Sequence, residues 1–291
     1  MRGVVAVDGV IHMDPATAAI SPFDRGFLYG DAIFETIRVY DGEPFRLTEH
    51  VDRLFWSAER TRMTLPWSRE AIAAEFHELA EGGERHLESR ELAIRLMVSR
   101  GSVPFEDFPS GLAIKDGLVP LRVAYIHTID PIPASTLESG VKVITSSSYR
   151  PSDAVGGAKV GNYLESIRAI AEARDRGAHE ALILTTDGFV LEGTTTNVFF
   201  VVDGQLITPS LGDTILPGIT RKTVIENAHV PVVERRIARA EIAASATEAF
   251  ITSSIREVLP VSHVDDVAVG AGKPGPITRE VVRRFRTATK R

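Results

Sequence analysis

Lys159 stands in "GGAKVGNYLESIRAIAEARDRGA", Gly156 to Ala178, ahead of an amphipathic run rather than among its charged residues Glu165, Arg168 and Glu172. Two glycines and Ala158 strip side-chain bulk from the approach, so a second molecule can come close to the amine. An ordinary loop lysine is the plain alternative. In "ILPGITRK", Pro217 and Gly218 precede a helix opening at Ile219 and Thr220, where free N–H groups and a hydroxyl suit an anion. "AFITSSIREV" sets Thr252, Ser253 and Ser254 at a strand end, again donors in a row. Arg53 lies off the apolar stripe of its own helix, where it can reach an anion or face solvent. Glu192 closes the strand "FVLEG", where a carboxylate can be solvated or can serve a basic ring nitrogen. Each of these residues also has a common structural use.

Together they describe an aldehyde cofactor that carries a phosphate. The lysine supplies a Schiff base, donor clusters hold the phosphate, and a carboxylate keeps a pyridine nitrogen protonated. Other chemistries do not fit. "VAVGAGKPG" places Lys273 in a glycine-rich loop, but Val267 stands where a phosphate loop needs its first glycine and Pro274 where it needs Ser or Thr. The eight histidines form no helical pair at metal-ligand spacing and there is no cysteine, so no metal is expected. No G-x-S-x-G elbow is present. The net charge of −6 argues against a nucleic-acid partner, which needs a clustered basic face.

These groups need a scaffold, and 291 residues are comfortable for two domains. "GVVAV", Asp8–Gly9 and "VIHM" read as a hairpin, and "AIFETIRVY", Asp41–Gly42 and "EPFRL" repeat it. "TEHVDRLFWSAERTRM" is a helix that Thr48 can cap, with Val51, Leu54, Phe55 and Ala58 as its apolar stripe. "SREAIAAEFHELAEGG" is a second helix, stopped by Gly82–Gly83. "ELAIRLMVS" alternates as a strand, with Ile94, Leu96 and Val98 opposite Arg95. The proline-bearing stretch at 129–136 separates a smaller N-terminal α/β domain, 1–128, from a C-terminal domain, 137–291. There "VKVITSSS", the helix ending at Gly177, four short strands ("EALILTT", "FVLEG", "NVFFVV", "QLITP"), the helix "ITRKTVIENA", the strand "EAFITSS" and the helix "PITREVVRRFRT" follow. The fold class is α+β (α/β) with hairpin-rich sheets. "MRGVVAVDGVIHMDP" lacks the apolar core of a signal peptide, and no apolar run nears the ~20 residues that span a bilayer. With no cysteine, a cytoplasmic chain away from membranes is expected.

Here the chain resembles a known family, the class IV, fold-type IV aminotransferases that use pyridoxal 5′-phosphate. The family includes branched-chain and D-amino-acid aminotransferases and aminodeoxychorismate lyase. The matching stretches are "FDRGFLYGDAIFETIRVYDG", "LTEHVDRLFWSA", "KVGNYLESI", "LEGTTTNVF", "LPGITR" and "FITSSIREVLPV", in the family's order. The resemblance implies that Lys159 is the Schiff-base lysine and that Glu192 meets the pyridine nitrogen. It likewise implies phosphate contacts from Arg53, Ile219, Thr220 and Ser254. Tyr163 matches a tyrosine on the cofactor's phenolic oxygen in branched-chain enzymes, where lysine and the Asn-Tyr pair stand one residue further apart. A homodimer, or an assembly of dimers, is implied too.

On the substrate side the resemblance points to Tyr29, Phe34, Arg38, Arg95, Ser253 and Ile255. It implies transamination between a branched-chain L-amino acid and 2-oxoglutarate, with D-amino-acid or (R)-amine transamination, or aminodeoxychorismate cleavage, as alternatives on one scaffold. Ala93 replaces a tyrosine usual in branched-chain enzymes. "RGSVPFEDFPSG" lacks the Arg and His carboxylate trap of D-amino-acid enzymes, and Phe34 stands where they have tyrosine. Arg256 is read either as a further carboxylate anchor or as a surface arginine.

Overall fold

The computed structural model of the chain describes residues 3–110, 112–114, 116–149, 156–213 and 215–289. It forms two compact units: Met1–Pro131 with Ala158–Asn162, and Ile132–Gly157 with Tyr163–Arg291. The segment bearing Lys159 therefore packs with the first unit rather than with the residues that flank it in sequence.

The first unit contains β1 (Gly3–Val7), β2 (Val10–His12), α1 (Arg25–Tyr29), β3 (Ala32–Tyr40), β4 (Glu43–Pro44), α2 (Leu47–Arg60), α3 (Arg69–Leu87), β5 (Glu91–Ser99) and β6 (Leu121–Thr128). Its sheet runs β2-β1-β6-β5-β3-β4, and every pairing is antiparallel. Asp8 and Gly9, and Asp41 and Gly42, have φ of 47°, 84°, 49° and 84°, the positive pair that a tight hairpin turn requires. One face of the sheet is apolar. Ile33, Ile37, Val39, Ile94, Leu96 and Val98 pack there against Val51, Leu54, Ile72 and Phe76. Fully burying such side chains stabilises the unit by about 1.5–3 kcal/mol each. Strand alternation then sends Phe34, Thr36, Arg38 and Arg95 to the other face.

Two boundaries differ from the sequence expectation. α2 begins at Leu47, with left-handed Arg46 at its N-cap and no side-chain cap, so Thr48 lies inside the helix. α3 does not stop at Gly82–Gly83 but continues to Leu87. A Cβ on Gly83 would sit 2.1 Å from Ile126 Cδ1. The glycine is there for close helix-on-sheet contact.

The second unit contains α4 (Ala134–Ser139), β7 (Val141–Tyr149), α5 (Leu164–Asp175), β8 (Glu180–Leu184), β9 (Val190–Gly193), β10 (Asn197–Val202), β11 (Gln205–Thr208), α6 (Ile219–Glu226), β12 (Val232–Glu234), α7 (Arg239–Ser245), β13 (Glu248–Ser253), β14 (Glu257–Val264), β15 (Val267–Ala268) and α8 (Pro276–Ala288). Its sheet runs β12-β11-β10-β13-β14-β7-β8-β9, with β15 on β14. β7 pairs in parallel with β8 and β14, as β11 does with β12; the other pairings are antiparallel. Phe199 and Phe250 stack between β10 and β13 with centroids 4.9 Å apart.

α4, which begins within the proline-bearing stretch 129–136, and β14 are additions to the sequence expectation. Pro260 has no N–H to give to a strand ladder. Pairing of β14 with β7 starts only at Val261, so the missing N–H of Pro260 costs no bond there. Among the described residues no helix is long and apolar enough to cross a membrane.

Candidate active site

In the first unit, Lys159 is fixed by its backbone. Its N–H donates to Ser57 Oγ at 3.1 Å, and its carbonyl accepts from Phe34 N at 3.0 Å. Val160 bridges Ile33, and Gly161 N donates to Ala32 O at 2.8 Å. The segment thus adds to β3 over its N-terminal half. This explains a lysine placed before its helix: the strand-like approach holds the backbone and turns the side chain toward Phe34. The amine lies 4.4 Å from the Phe34 ring centroid, and the Arg95 guanidinium carbon lies 4.0 Å from the same ring. Both are favourable cation–π distances.

Beneath these residues, on the helix-facing side of β3, lies a group that sequence reasoning did not find. Glu35 is fully buried. Arg53 grips it with Nε at 2.8 Å from Oε1 and Nη2 at 2.7 Å from Oε2, and His50 Nδ1 lies 2.7 Å from Oε2. Burial pushes the Glu35 carboxyl up, but the charge and fork of Arg53 and the hydrogen bond from His50 outweigh it and bring it down to about 2. Burial pushes His50 down against the pull of Glu35, with the charges of Arg53 and Lys159 adding to the lowering. A neutral His50 then donates from Nδ1–H, since the ionised carboxylate can only accept. His50, Arg53 and Ser57 follow helical spacing on α2, so one helix face orients the guanidinium and supports Lys159.

The other expected residues of this unit are placed as follows. Tyr29 ends α1 before Gly30, whose left-handed φ of 67° closes the helix, and its ring lies 5.0 Å from the Arg25 guanidinium carbon. Arg38 is buried and donates to Glu91 Oε2 at 2.6 Å. The structure therefore gives Arg38 an internal acid, whereas Arg95 has no ion pair among the described residues.

In the second unit, Glu192 is buried at the end of β9. Its Oε2 accepts from Leu216 N at 3.0 Å and from Asn197 Nδ2 at 3.3 Å, and Asn197 Nδ2 also donates to Leu216 O at 3.0 Å. Asn197 in turn fixes the start of α6. A Cβ on Gly218 would lie 1.9 Å from Asn197 Oδ1, so only glycine fits at this N-cap. The bond from Lys222 N to Gly218 O is the first of the helix, which leaves the N–H groups of Ile219 and Thr220 outside the intrahelical ladder. Thr252 pairs with Asn197 across β10 and β13, hence on the same sheet face. Its buried Oγ1 has no hydrogen-bond partner among the described residues. An orphan hydroxyl, a helix N-terminus and a fixed carboxylate form a polar cradle.

Ser253 pairs with Glu257, and Ser254, Ile255 and Arg256 make the turn between β13 and β14. Arg256 is half-buried and donates from Nη1 to buried Glu180 at 3.1 Å. Tyr163 is the N-cap residue of α5 and is half-buried.

The amino-transferase class IV family model matches residues 32–264. The chain belongs to the class IV aminotransferase family. This aminotransferase is 34% identical to the branched-chain-amino-acid aminotransferase of Pseudomonas aeruginosa, covering 97% of this chain and 92% of that protein. It is 33% identical to the D-alanine aminotransferase of Bacillus licheniformis, covering 92% and 91%. Among solved structures, the branched-chain amino acid aminotransferase of Escherichia coli superposes with a TM-score of 0.86 at 30% identity, over 99% of this chain and 94% of that one. The branched-chain aminotransferase of the thermophilic archaeon Thermoproteus uzoniensis, solved with norvaline, gives 0.85 at 31%, over 98% and 94%.

Sequence reading of this aminotransferase missed Glu35, His50, Ser57, Asn197 and Glu180. Each acts through a partner distant in sequence: Glu35 is 18 residues from Arg53, and Ser57 is 102 from Lys159. Only a charge inside an apolar run, as with Glu35 between Phe34 and Ile37, could have hinted at them.

Proposed function

We propose that this class IV aminotransferase binds pyridoxal 5′-phosphate through Lys159 and moves amino groups between a branched-chain L-amino acid and 2-oxoglutarate. The observation that carries the reading is Lys159, held by its backbone on β3 with its amine against Phe34. The cradle of the second unit fits the cofactor's charges: Ile219, Thr220 and Ser254, with the orphan Thr252 hydroxyl, suit a phosphate. In the first unit Arg53, aligned by Glu35, offers a guanidinium suited to a phosphate, and in the second Tyr163 offers a phenol. When bound, the cofactor supplies an electron sink for the substrate's α-carbon. Lys159 Nζ removes the proton from that carbon and later returns it. Glu192, oriented by Leu216 and Asn197, holds a proton on the ring nitrogen by its opposite charge.

Tyr29 and Phe34 form the apolar wall for the substrate side chain, and the N–H groups around Ser253 and Ile255 meet its α-carboxylate. Arg95, without an acid partner among the described residues, receives the distal carboxylate of 2-oxoglutarate; Arg38, held by Glu91, supports the strand instead. The enzyme works as a homodimer or an assembly of dimers, for which exposed Phe27, Phe105 and Val119 offer apolar surface. A D-amino acid or (R)-amine as donor is the second reading, favoured by the 33% identity to a D-alanine aminotransferase.

An amino-donor panel of both enantiomers, with 2-oxoglutarate and pyruvate as acceptors, tests the assignment. L-leucine, L-valine and L-isoleucine with 2-oxoglutarate are the expected pairs. Dominant activity on D-alanine or D-glutamate establishes the second reading, and pyruvate release from aminodeoxychorismate without an acceptor replaces both with a lyase. Arg95→Ala is expected to raise KM for 2-oxoglutarate roughly tenfold or more, the loss of a charged hydrogen bond of about 1.5–3 kcal/mol, with little change for leucine.

A further inference from the structure

Glu180 opens β8 and is fully buried, where a carboxylate remains charged only if its oxygens are satisfied. Oε1 accepts from Ala181 N at 2.9 Å, Thr194 N at 3.2 Å and Thr194 Oγ1 at 2.5 Å. Oε2 accepts from Thr195 Oγ1 and Thr196 Oγ1 at 3.4 Å and from Arg256 Nη1 at 3.1 Å. The turn 193–196 is wound around this carboxylate. Gly193 N donates to Thr196 O at 2.7 Å, and a Cβ on Gly193 would come 2.1 Å from Thr196 Oγ1 and 3.1 Å from Glu180 Cγ. That turn joins Glu192 to Asn197, the two side chains that meet again at Leu216.

Arg256 brings in a second turn. Between β13 and β14 the chain reverses through Ser254, Ile255 and Arg256, with Arg256 N donating to Ser253 Oγ at 3.1 Å. Glu257 follows with φ of 52°, a left-handed conformation usual for glycine and strained for a glutamate. Strain of this kind persists where surrounding contacts over-determine it. The ion pair from Arg256 to Glu180 is such a contact, and it anchors the turn from the side of β8.

We propose that Glu180 is a positioning residue that sets two functional turns in register, the Glu192–Asn197 turn through Thr194, Thr195 and Thr196 and the Ser253–Glu257 turn through Arg256. This rests on the reading in which Glu192 serves the ring nitrogen and Ser254 the phosphate. Glu180 touches neither group itself. One carboxylate spans both turns, so a change at either end is transmitted to the other.

The test uses apoprotein of wild type, Glu180→Gln, Arg256→Met and the double variant. Fluorescence quenching on titration with pyridoxal phosphate gives the dissociation constant, and melting of each apoprotein gives stability separately. Single-turnover rates and substrate KM are measured on the loaded enzymes. The expected result is a dissociation constant raised at least tenfold in Glu180→Gln and several-fold in Arg256→Met. The double variant is expected to be no weaker than Glu180→Gln, because both changes break one linkage. The single-turnover rate should fall in Glu180→Gln as well. Unchanged cofactor affinity and rate with a lowered melting temperature would reduce Glu180 to a purely structural acid, and strictly additive effects would show that the two turns are not linked. If Glu180→Gln does not fold, Arg256→Met and Thr195→Val decide: unchanged affinity in both overturns the proposal. Wild-type protein that binds no pyridoxal phosphate overturns the underlying reading instead, whatever the variants do.

Discussion

Arg53 and Glu35 form a two-pronged pair in which Nε and Nη2 of the guanidinium lie 2.8 and 2.7 Å from the two carboxylate oxygens. The pair joins α2 to β3 and has its acid fully buried. A planar fork matched to a carboxylate leaves the arginine little rotational freedom. That fixed orientation is what the proposed role of Arg53 at a phosphate requires.

Glu35→Gln is expected to destabilise the first unit by about 3–5 kcal/mol, since it leaves the Arg53 charge buried without its counter-ion. Acid stability should change with it. The Glu35 carboxyl is lowered from 4.5 to about 2 on folding, so its contribution is complete above pH 4.5 and is lost as pH falls towards 2. His50, pushed below 6.5 by burial, acts in the same direction, so stability begins to decline as pH falls through 6.5. Melting curves from pH 8 to pH 3 check this. A Glu35→Gln profile as steep as wild type below pH 4.5 would contradict the role given to the carboxylate.

Glu192→Gln is expected to bind pyridoxal phosphate yet lose most of its half-reaction rate. Removing a charge partner from a developing charge costs about 2.7–4 kcal/mol, by analogy with an oxyanion-hole donor. The glutamine can still accept from Leu216 N, so binding geometry survives. Stopped-flow absorbance with excess amino donor gives the rate, and a value equal to wild type would make Glu192 a strand-end residue only.

Gly83→Ala tests why α3 runs through its glycines. The methyl would collide with Ile126 Cδ1, so the variant should lose about 1–3 kcal/mol as an overpacked helix–sheet contact. Gly82, with nothing within 4 Å, is the control, and its alanine variant should be neutral or slightly stabilising. Urea denaturation of both compares them directly.

This pair of glycines also marks where sequence reasoning ends. Period-two alternation and Asp-Gly turns located β5 at Glu91–Ser99 and the hairpins of Asp8–Gly9 and Asp41–Gly42, because these signals are local. Gly83 read as a stop since its reason, Ile126 on β6, lies 43 residues away in sequence. The candidate site divides in the same manner. Lys159, Glu192, Ile219 and Thr220 stand at glycine approaches, strand ends and helix starts that a sequence displays. Glu35, Asn197 and Glu180 do their work through contacts that only tertiary packing creates, and Glu91 takes up Arg38 across two strands.

Lys159 is expected to anchor the cofactor covalently. Incubation with pyridoxal phosphate, reduction with borohydride and peptide mass mapping measures this directly. A single phosphopyridoxyl group is expected on Lys159 and none in Lys159→Ala, which should keep the wild-type fold and lose transamination. A label on another lysine, or near-wild-type turnover in Lys159→Ala, would contradict it.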